Sequence, residues 1–187
     1  GTLQAWASDR PTARTLEAGQ LQFSLKYVND RFNGQGVGSD SLPLNQVLSS
    51  FTVAPTQMAS RGAQVNLMFG ITDYLTLSAT GTFVQKKMEL AVEDPNNAGL
   101  LWLGSSEALG PEDVQVEALY NVVDQGGVRV HFQAGASIPI GLIDADDEIL
   151  DPVRPGASSV EVQLPYLQQL GSGTFDILPG ITANLQN

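Results

Sequence analysis

Apolar and polar residues alternate along two neighbouring runs in the middle of the chain, and this pattern predicts two β-strands. Residues 63–71 and 75–83 each carry an apolar side chain at every second position. A period of two is the spacing of side chains on one face of a strand. Both apolar sets share a face if Ile71 faces Leu75, which leaves residues 72–74 as a three-residue hairpin loop.

The polar face of this predicted hairpin is neutral. The register pairs Asn66 with Thr80 and Met68 with Ser78, and the face carries no charge before Lys86. A sheet wetted by bulk water usually carries Lys, Glu or Arg there, partly to block edge pairing. Small neutral polar residues suit a barrel interior instead, and a strand of about ten residues can cross a bilayer when it is tilted.

Further alternating segments bring the predicted strands to about seven. They cover residues 21–27, 47–54, 114–123, 128–138 and 175–185. Long acidic loops are expected near residues 92–112 and 141–167, and residues 1–16 are expected to form an irregular N-terminal segment. Outer-membrane barrels show this alternation of short turns with long loops, and their strand number is even, from eight upward. We therefore expect residues 17–187 to supply part of such a barrel.

The second clear hairpin joins residues 114–123 to residues 128–138. Keeping its apolar faces in phase requires an odd loop, with Gly126 in the left-handed conformation. This register places Glu117 opposite Gln133 and Asn121 opposite Arg129.

Composition excludes several classes of protein. No apolar stretch is long enough for a transmembrane helix, so a closed barrel is the remaining way to span a bilayer. The chain has no cysteine, which excludes disulfide scaffolds, thiol catalysis and cysteine zinc sites. Its net charge of −11 argues against nucleic-acid binding, because neutralising phosphates requires clustered Lys and Arg.

The polar faces supply candidate lumen residues rather than catalytic ones. His131 is the only histidine, and no nucleophile motif accompanies it. We therefore expect no enzymatic activity and no cofactor. In a barrel, the polar-face side chains would select which solutes pass, and the candidates are Lys26, Glu117, Arg129, His131 and Gln133.

A cluster of carboxylates in the second acidic loop is a weak calcium candidate, because hard cations bind several oxygen ligands on flexible loops. The cluster lacks the spacing and the glycine of an EF-hand, and a solvated acidic loop is the favoured interpretation. Its members are Asp144, Asp146, Asp147, Glu148 and Asp151.

Several segments, taken in order, resemble a known family. They are VLSSFTVAPTQM, MFGITDYLTLSATGTFVQKKM, VQVEALYNVV, GASIPIGLID and LPYLQQLGSGTFDILPGIT, and they span roughly residues 47–183. Together they resemble bacterial outer-membrane transporter-like barrels of the phenol-degradation meta-pathway type. The resemblance implies an outer-membrane β-barrel that moves small, hydrophobic compounds, and it implies no catalytic residues. Members of such families are longer, and bacterial barrels often end on an aromatic residue, which this chain lacks.

We therefore predict an all-β fold, an antiparallel up-and-down transmembrane β-barrel, with a lipid bilayer and a small-molecule solute as its partners. The alternatives are a water-soluble β-barrel or sandwich that binds an apolar ligand, and a structural accessory subunit of a larger assembly. A homo-oligomer is compatible with each of them. The orientation of the two strand faces distinguishes the membrane barrel from a water-soluble fold. A membrane barrel turns Leu67, Phe69, Leu77 and Phe132 outward and Asn66, Thr80 and Glu117 inward.

Overall fold

The computed structural model describes residues 15–37, 40–97, 99–125 and 128–185, and most of them form antiparallel β-structure. The long strands are β1 (Leu21–Asn33), β4 (Val53–Thr72), β5 (Leu75–Glu93), β6 (Leu101–Pro111), β7 (Val114–Gln125), β8 (Val128–Ile138) and β11 (Asp176–Leu185). The short elements are β2 (Gln35–Val37), β3 (Asp40–Leu42), β9 (Asp146–Leu150), β10 (Ser159–Gln163), the helix α1 (Leu44–Leu48) and a 3₁₀ turn at Tyr166–Gln168. The predictions for residues 1–14 and for Gly126 lie outside the described residues.

The long strands form one up-and-down sheet in the order β1-β4-β5-β7-β8-β11. One edge of β5 pairs with β7 near its start, at residues 75–80, and with β6 over residues 83–93. The predicted all-β antiparallel fold is confirmed. Within the described part of the chain β1 and β11 each have one neighbour, so the sheet is open and no closed barrel is formed.

The register of the central hairpin is confirmed, because Asn66 pairs with Thr80 and Met68 with Ser78. The loop differs from the prediction: Thr72 pairs with Leu75, which leaves a two-residue turn, and a bulge follows Gly70. The bulge absorbs the odd residue that the prediction assigned to the loop, and the apolar faces therefore stay in phase.

The second hairpin follows the same rule with a different register. Glu117 pairs with Gly135 rather than with the predicted Gln133, and the partner of Asn121 is shifted by two positions as well. A bulge after Asn121 supplies the odd residue, and beyond it the ladder continues to the pair formed by residues 125 and 128. The predicted register was wrong because an odd loop and an even loop with a bulge preserve phase equally well.

Three other boundaries differ from the prediction. The expected loop at 92–112 is mostly strand, because β5 continues to Glu93 and β6 pairs antiparallel with it. The alternation of β6 is weak in the sequence, because most residues on one of its faces are small. The expected loop at 141–167 contains the β9–β10 hairpin. The expected strand at 47–54 is α1 followed by the start of β4, and α1 packs Val47 and Leu48 against Ala54.

Residues 139–175 connect β8 to β11, and we call them the covering loop because they pack on one face of β5 and β6. Leu164 and Leu170 of this loop join Val84 and Ala108 in a buried apolar cluster. Next to the cluster, Gln168 is fully buried and accepts a 2.8 Å hydrogen bond from the hydroxyl of Ser106. Its amide nitrogen donates to the Ser106 carbonyl at 3.2 Å, so the loop is held by both apolar and polar contacts.

We expect Leu170→Ala to destabilise the docked covering loop by about 2–4 kcal/mol, the usual cost of removing a large buried side chain. Limited proteolysis within residues 139–175 would measure the loss as faster cleavage. Leu167→Ala is the matched control, because Leu167 lies in the same loop with 67% of its surface exposed. Equal cleavage of the two variants would contradict the docking described above.

Candidate functional site

The first half of β5 turns its apolar side chains outward and its polar side chains inward. Leu77 and Phe83 are exposed by 43% and 53%, whereas Thr76 and Ser78, on the opposite face, are buried. We call the face of Leu77 the outer face and the face of Thr76 the inner face. The covering loop lies over the inner face, and so does a short segment before β1, described below.

The second half of β5 has the opposite arrangement. Its inner face carries buried apolar side chains, namely Val84, Met88, Leu90 and Val92. Its outer face carries Gln85, Lys87 and Glu89. The two faces of one uninterrupted strand therefore exchange their chemistry immediately after Phe83.

The outer face changes from apolar to polar at the same level on three neighbouring strands. Tyr27 of β1, Ala63 of β4 and Phe83 of β5 pair with one another across the sheet and form the last apolar row of the outer face. We call them the border row. On these three strands the next outer row consists of Asn29, Arg61 and Gln85, whereas β6 places the exposed Leu109 beside Gln85. The sequence carries this signal as a shift of apolar residues from odd to even positions, and the alternation within residues 63–83 does not contain it.

Below the border row the outer face is a continuous apolar surface, which we call the outer belt. From Leu75 to Phe83 it measures about 26 Å along the strand, at ~3.3 Å per residue. Water-soluble proteins rarely expose an apolar surface of this extent. Its exposed members are Leu21, Phe23, Leu25, Tyr27, Leu67, Phe69, Leu77, Phe83, Val116, Tyr120, Phe132, Ile138, Ile177 and Ile181.

The inner face opposite the outer belt satisfies its polar groups across strands. The amide of Asn66 donates to the hydroxyls of Ser78 and Thr80, each at 2.8 Å. On the next pair of strands the amide of Gln133 donates to the Glu117 carboxylate at 2.6 Å. Cross-strand hydrogen bonds of this kind fix the orientation of the side chains, so the inner face is an ordered polar surface.

All five predicted lumen residues lie on the inner face, but they do not form one cluster. Glu117 and Gln133 are hydrogen-bonded to each other, and Lys26 lies on β1, in register with Gln64 of β4. Arg129 forms a 3.0 Å ion pair with Asp124 near the β7–β8 turn. The fifth residue, His131, is 2% exposed and pairs across the sheet with Asn121 and Thr182.

His131 and Asn121 retain unused hydrogen-bonding capacity. Within the part of the chain that the structure describes, Nε2 of His131 and Oδ1 of Asn121 are buried without a hydrogen-bond partner. Such atoms cost roughly 1–3 kcal/mol each unless water or a solute satisfies them. The pair can therefore bind a small polar group, but no hydroxyl is hydrogen-bonded to the imidazole for nucleophilic catalysis.

Asp113, at the break between β6 and β7, fastens both ends of the covering loop. Its carboxylate accepts a 3.0 Å hydrogen bond from the amide of Gly141 and a 2.8 Å hydrogen bond from the amide of Ser172. The Ser172 hydroxyl donates to the same carboxylate at 2.7 Å. Nothing local in the sequence distinguishes Asp113 from a solvated acid, because its carboxylate accepts hydrogen bonds from residues 28 and 59 positions away.

The other end of the inner face is crossed by residues 15–20, which we call the N-terminal strap. The amide of Leu16 donates to the Thr76 hydroxyl at 2.7 Å, and the amide of Ala18 donates to Asp73 at 3.0 Å. The backbone of Glu17 passes so close to Gly70 that a side chain at Gly70 would collide with it. The inner face is therefore bounded by the N-terminal strap at one end and by the covering loop at the other.

The weak calcium site is not formed. Among the described residues, no three carboxylate or imidazole groups come together around a common point. Asp147 accepts the backbone amide of Glu107, and Glu148 accepts the hydroxyl of Ser159. Hydrogen bonds from the Val153 amide and the Ser158 hydroxyl lower the pKa of Asp151 below its usual 3.8. These carboxylates fasten the β9–β10 hairpin, and β-strand alternation sends neighbouring ones in opposite directions.

Comparison with protein-family models, with curated proteins and with solved structures finds no match to this chain. The resemblance noted from the sequence therefore stays a prediction. None of the helices in the described ranges combines the length and the apolar character needed to cross a membrane.

We expect Asp113→Ala to release the ends of the covering loop. Amide hydrogen exchange at Gly141 and Ser172 should accelerate about 10- to 100-fold, because a hydrogen bond to a charged group contributes about 1.5–3 kcal/mol. Asp144→Ala removes the same charge from the covering loop itself and should leave both amides unchanged. Unaltered exchange in the Asp113 variant would refute the role of this carboxylate as the fastening group.

Proposed function

We propose that this chain forms a β-barrel of a bacterial outer membrane and that small molecules pass, or are bound, along its inner face. The exchange of the two faces at the border row carries the proposal. On the outer face of β5, lipid would contact the side chains up to Phe83, and water would contact the side chains beyond it. Neither a wholly water-soluble sheet nor a wholly buried sheet requires such a change.

The dimensions of the outer belt agree with a bilayer. Its length of about 26 Å along the strand corresponds to a height of ~20 Å at a tilt of about 40°, near the apolar band of ~25 Å on outer-membrane barrels. Tyr27 and Phe83 lie in the border row, at one end of the outer belt. Aromatic residues are enriched at the corresponding membrane–water interface of membrane proteins. An apolar ligand held inside the sheet is disfavoured, because the inner face opposite the belt is polar.

A barrel also requires that the two free edges of the sheet be paired. Unpaired amides and carbonyls in hydrocarbon cost several kcal/mol each, so an open sheet is not a stable membrane structure. We propose that β1 and β11 meet further strands in the membrane, from a longer chain or from a second copy. Intact mass and chemical cross-linking of the native protein separate these two sources.

The proposed path runs along the inner face between the N-terminal strap and the covering loop. Acidic groups predominate near the covering loop, where Glu112, Asp113 and Asp176 line a common cleft. Lys86 offsets one of them, because it forms a 3.0 Å ion pair with Glu112. Farther along, Glu117 adds another carboxylate, so cations and neutral polar solutes should pass more readily than anions.

Site-directed spin labelling tests the membrane assignment, and the absence of native cysteine makes every introduced label unique. A label at Leu77→Cys should be relaxed by oxygen and shielded from a water-soluble relaxer. The matched control is Leu103→Cys, because Leu103 is a 77% exposed leucine on the same face but beyond the border row. That label should be reached by the water-soluble reagent.

Two outcomes would overturn the assignment. Access of the water-soluble reagent to Leu77 in the reconstituted protein would mean that the outer belt faces water. Shielding of Leu77 from both reagents would mean that a protein partner covers the belt, which is the accessory-subunit alternative.

Bilayer conductance tests the proposed path. We expect Glu117→Gln to lower the permeability ratio of cations to anions, because it removes a carboxylate from the inner face. Glu107→Gln is the control: it makes the same charge change on the outer face of β6 and should leave the ratio unchanged. Identical ratios in the two variants, or the absence of any conductance, would contradict passage along the inner face.

A further inference from the structure

Three of the seven Lys and Arg residues in the described part of the chain lie together on the outer face, just beyond the border row. They are Arg31 of β1, Arg61 of β4 and Lys87 of β5, and they line one cleft of about 320 Å³. The net charge of the protein is −11, so a local concentration of cations requires an explanation. We call this feature the cationic cleft.

The ladder of the sheet gives the cationic cleft a defined floor. Ala59 pairs with Arg31 on one side and with Lys87 on the other, so two long cations flank a single methyl group. Arg61 follows two residues along the same face of β4. Strand spacing places the outer two Cα atoms about 10 Å apart, and Arg61 lies about 7 Å along the strand from Ala59. A group the size of a phosphate fits above Ala59 within reach of all three side chains.

Among the described residues, no carboxylate forms an ion pair with Arg31, Arg61 or Lys87. Glu89 lies at the rim of the cleft, and Glu107, which is opposite Lys87 in the ladder, accepts a 2.8 Å hydrogen bond from Gln85 instead. Three exposed cations against two carboxylates, Glu89 at the rim and Glu107 beside Lys87, leave the cleft with a net positive charge.

An apolar groove continues directly from the cationic cleft into the outer belt. In the border row the small side chain of Ala63 lies between Tyr27 and Phe83, which are 69% and 53% exposed. In the row below, Val65 lies between Leu25 and Gly81. The surface therefore has a positive end, followed by an apolar groove flanked by aromatic rings. A lipid has the same arrangement, with a charged headgroup followed by an acyl chain.

We propose that the cationic cleft binds the phosphate of an anionic lipid whose acyl chain lies in the groove over Ala63. Charge complementarity and continuity with the outer belt select this occupant over a free anion or a peptide, because neither of those would use the apolar groove. The inference rests on the proposed membrane location and adds a specific lipid partner to it. Charge-assisted hydrogen bonds from Arg to phosphate oxygens, and the point charge of Lys87, would hold the headgroup.

Native mass spectrometry tests the inference on the full chain, reconstituted in bilayers of phosphatidylcholine alone or mixed with phosphatidylglycerol. The native protein should retain phosphatidylglycerol in preference to phosphatidylcholine. Arg31→Gln should reduce that preference about fivefold, the usual contribution of one cation near an anionic surface, and the triple variant with Arg61→Gln and Lys87→Gln should abolish it. Arg154→Gln, on the covering loop, is the control that should retain it.

A second variant distinguishes a binding site of defined shape from nonspecific electrostatic attraction between the cations and anionic lipids. Ala59→Leu leaves every charge in place but fills the floor of the cationic cleft, and it should lower the preference as well. A preference that survives both Ala59→Leu and the triple substitution would overturn the inference. Displacement of phosphatidylglycerol from the native protein by excess inorganic phosphate would assign the cleft to free phosphate and would overturn it too.

The two proposals can fail separately. If the protein enters both kinds of bilayer and retains the two lipids equally, the lipid site is refuted while the membrane assignment stands. If it enters neither bilayer, the membrane assignment is refuted and the lipid site with it.

Discussion

The strict alternation of side chains along an extended strand is the constraint on which this structure depends. A strand in a paired sheet cannot rotate one half of its length relative to the other without breaking the ladder. β4 and β5 are 20 and 19 residues long and keep their pairing across the border row. The chemistry of each face is therefore changed by the order of residue types alone, and the backbone continues unchanged through the transition.

The covering loop and the N-terminal strap cover different parts of the inner face, and this division follows from the change of chemistry at the border row. Beyond the border row the inner face carries the apolar side chains Val84 and Ala108, and Leu164 and Leu170 of the covering loop exclude water from them. Below the border row the inner face is polar and satisfies itself across strands, so it needs no apolar cover. At the end away from the covering loop, backbone groups of the N-terminal strap contact this polar surface where Gly70 leaves room.

Much of the sheet was predictable because alternation is a local property. The central hairpin, including the pairing of Asn66 with Thr80, followed from phase alone. Features that depend on tertiary contacts did not follow. The strand β6 was missed because Gly104, Ser106 and Ala108 gave it little polar contrast, and the fastening role of Asp113 depends on partners distant in sequence. The inner-face positions of the predicted lumen residues followed from phase, whereas their hydrogen-bond partners required the structure.

The border row has a consequence for how the sheet could move along the direction of its strands. Three strands change from apolar to polar side chains at one level of the outer face. In a bilayer, this level would determine how deep the sheet lies. In the proposed bilayer, sliding inward by one side-chain repeat, about 7 Å along the strand, would bring the charge of Arg61 and the amide of Gln85 to the edge of the hydrocarbon. Burying Arg61 there would cost about 0–1 kcal/mol, and the cost would rise to ~2–4 kcal/mol towards the midplane. Sliding outward would expose Tyr27 and Phe83 to water. In the proposed membrane location, the border row would therefore oppose movement of the sheet in either direction along its strands.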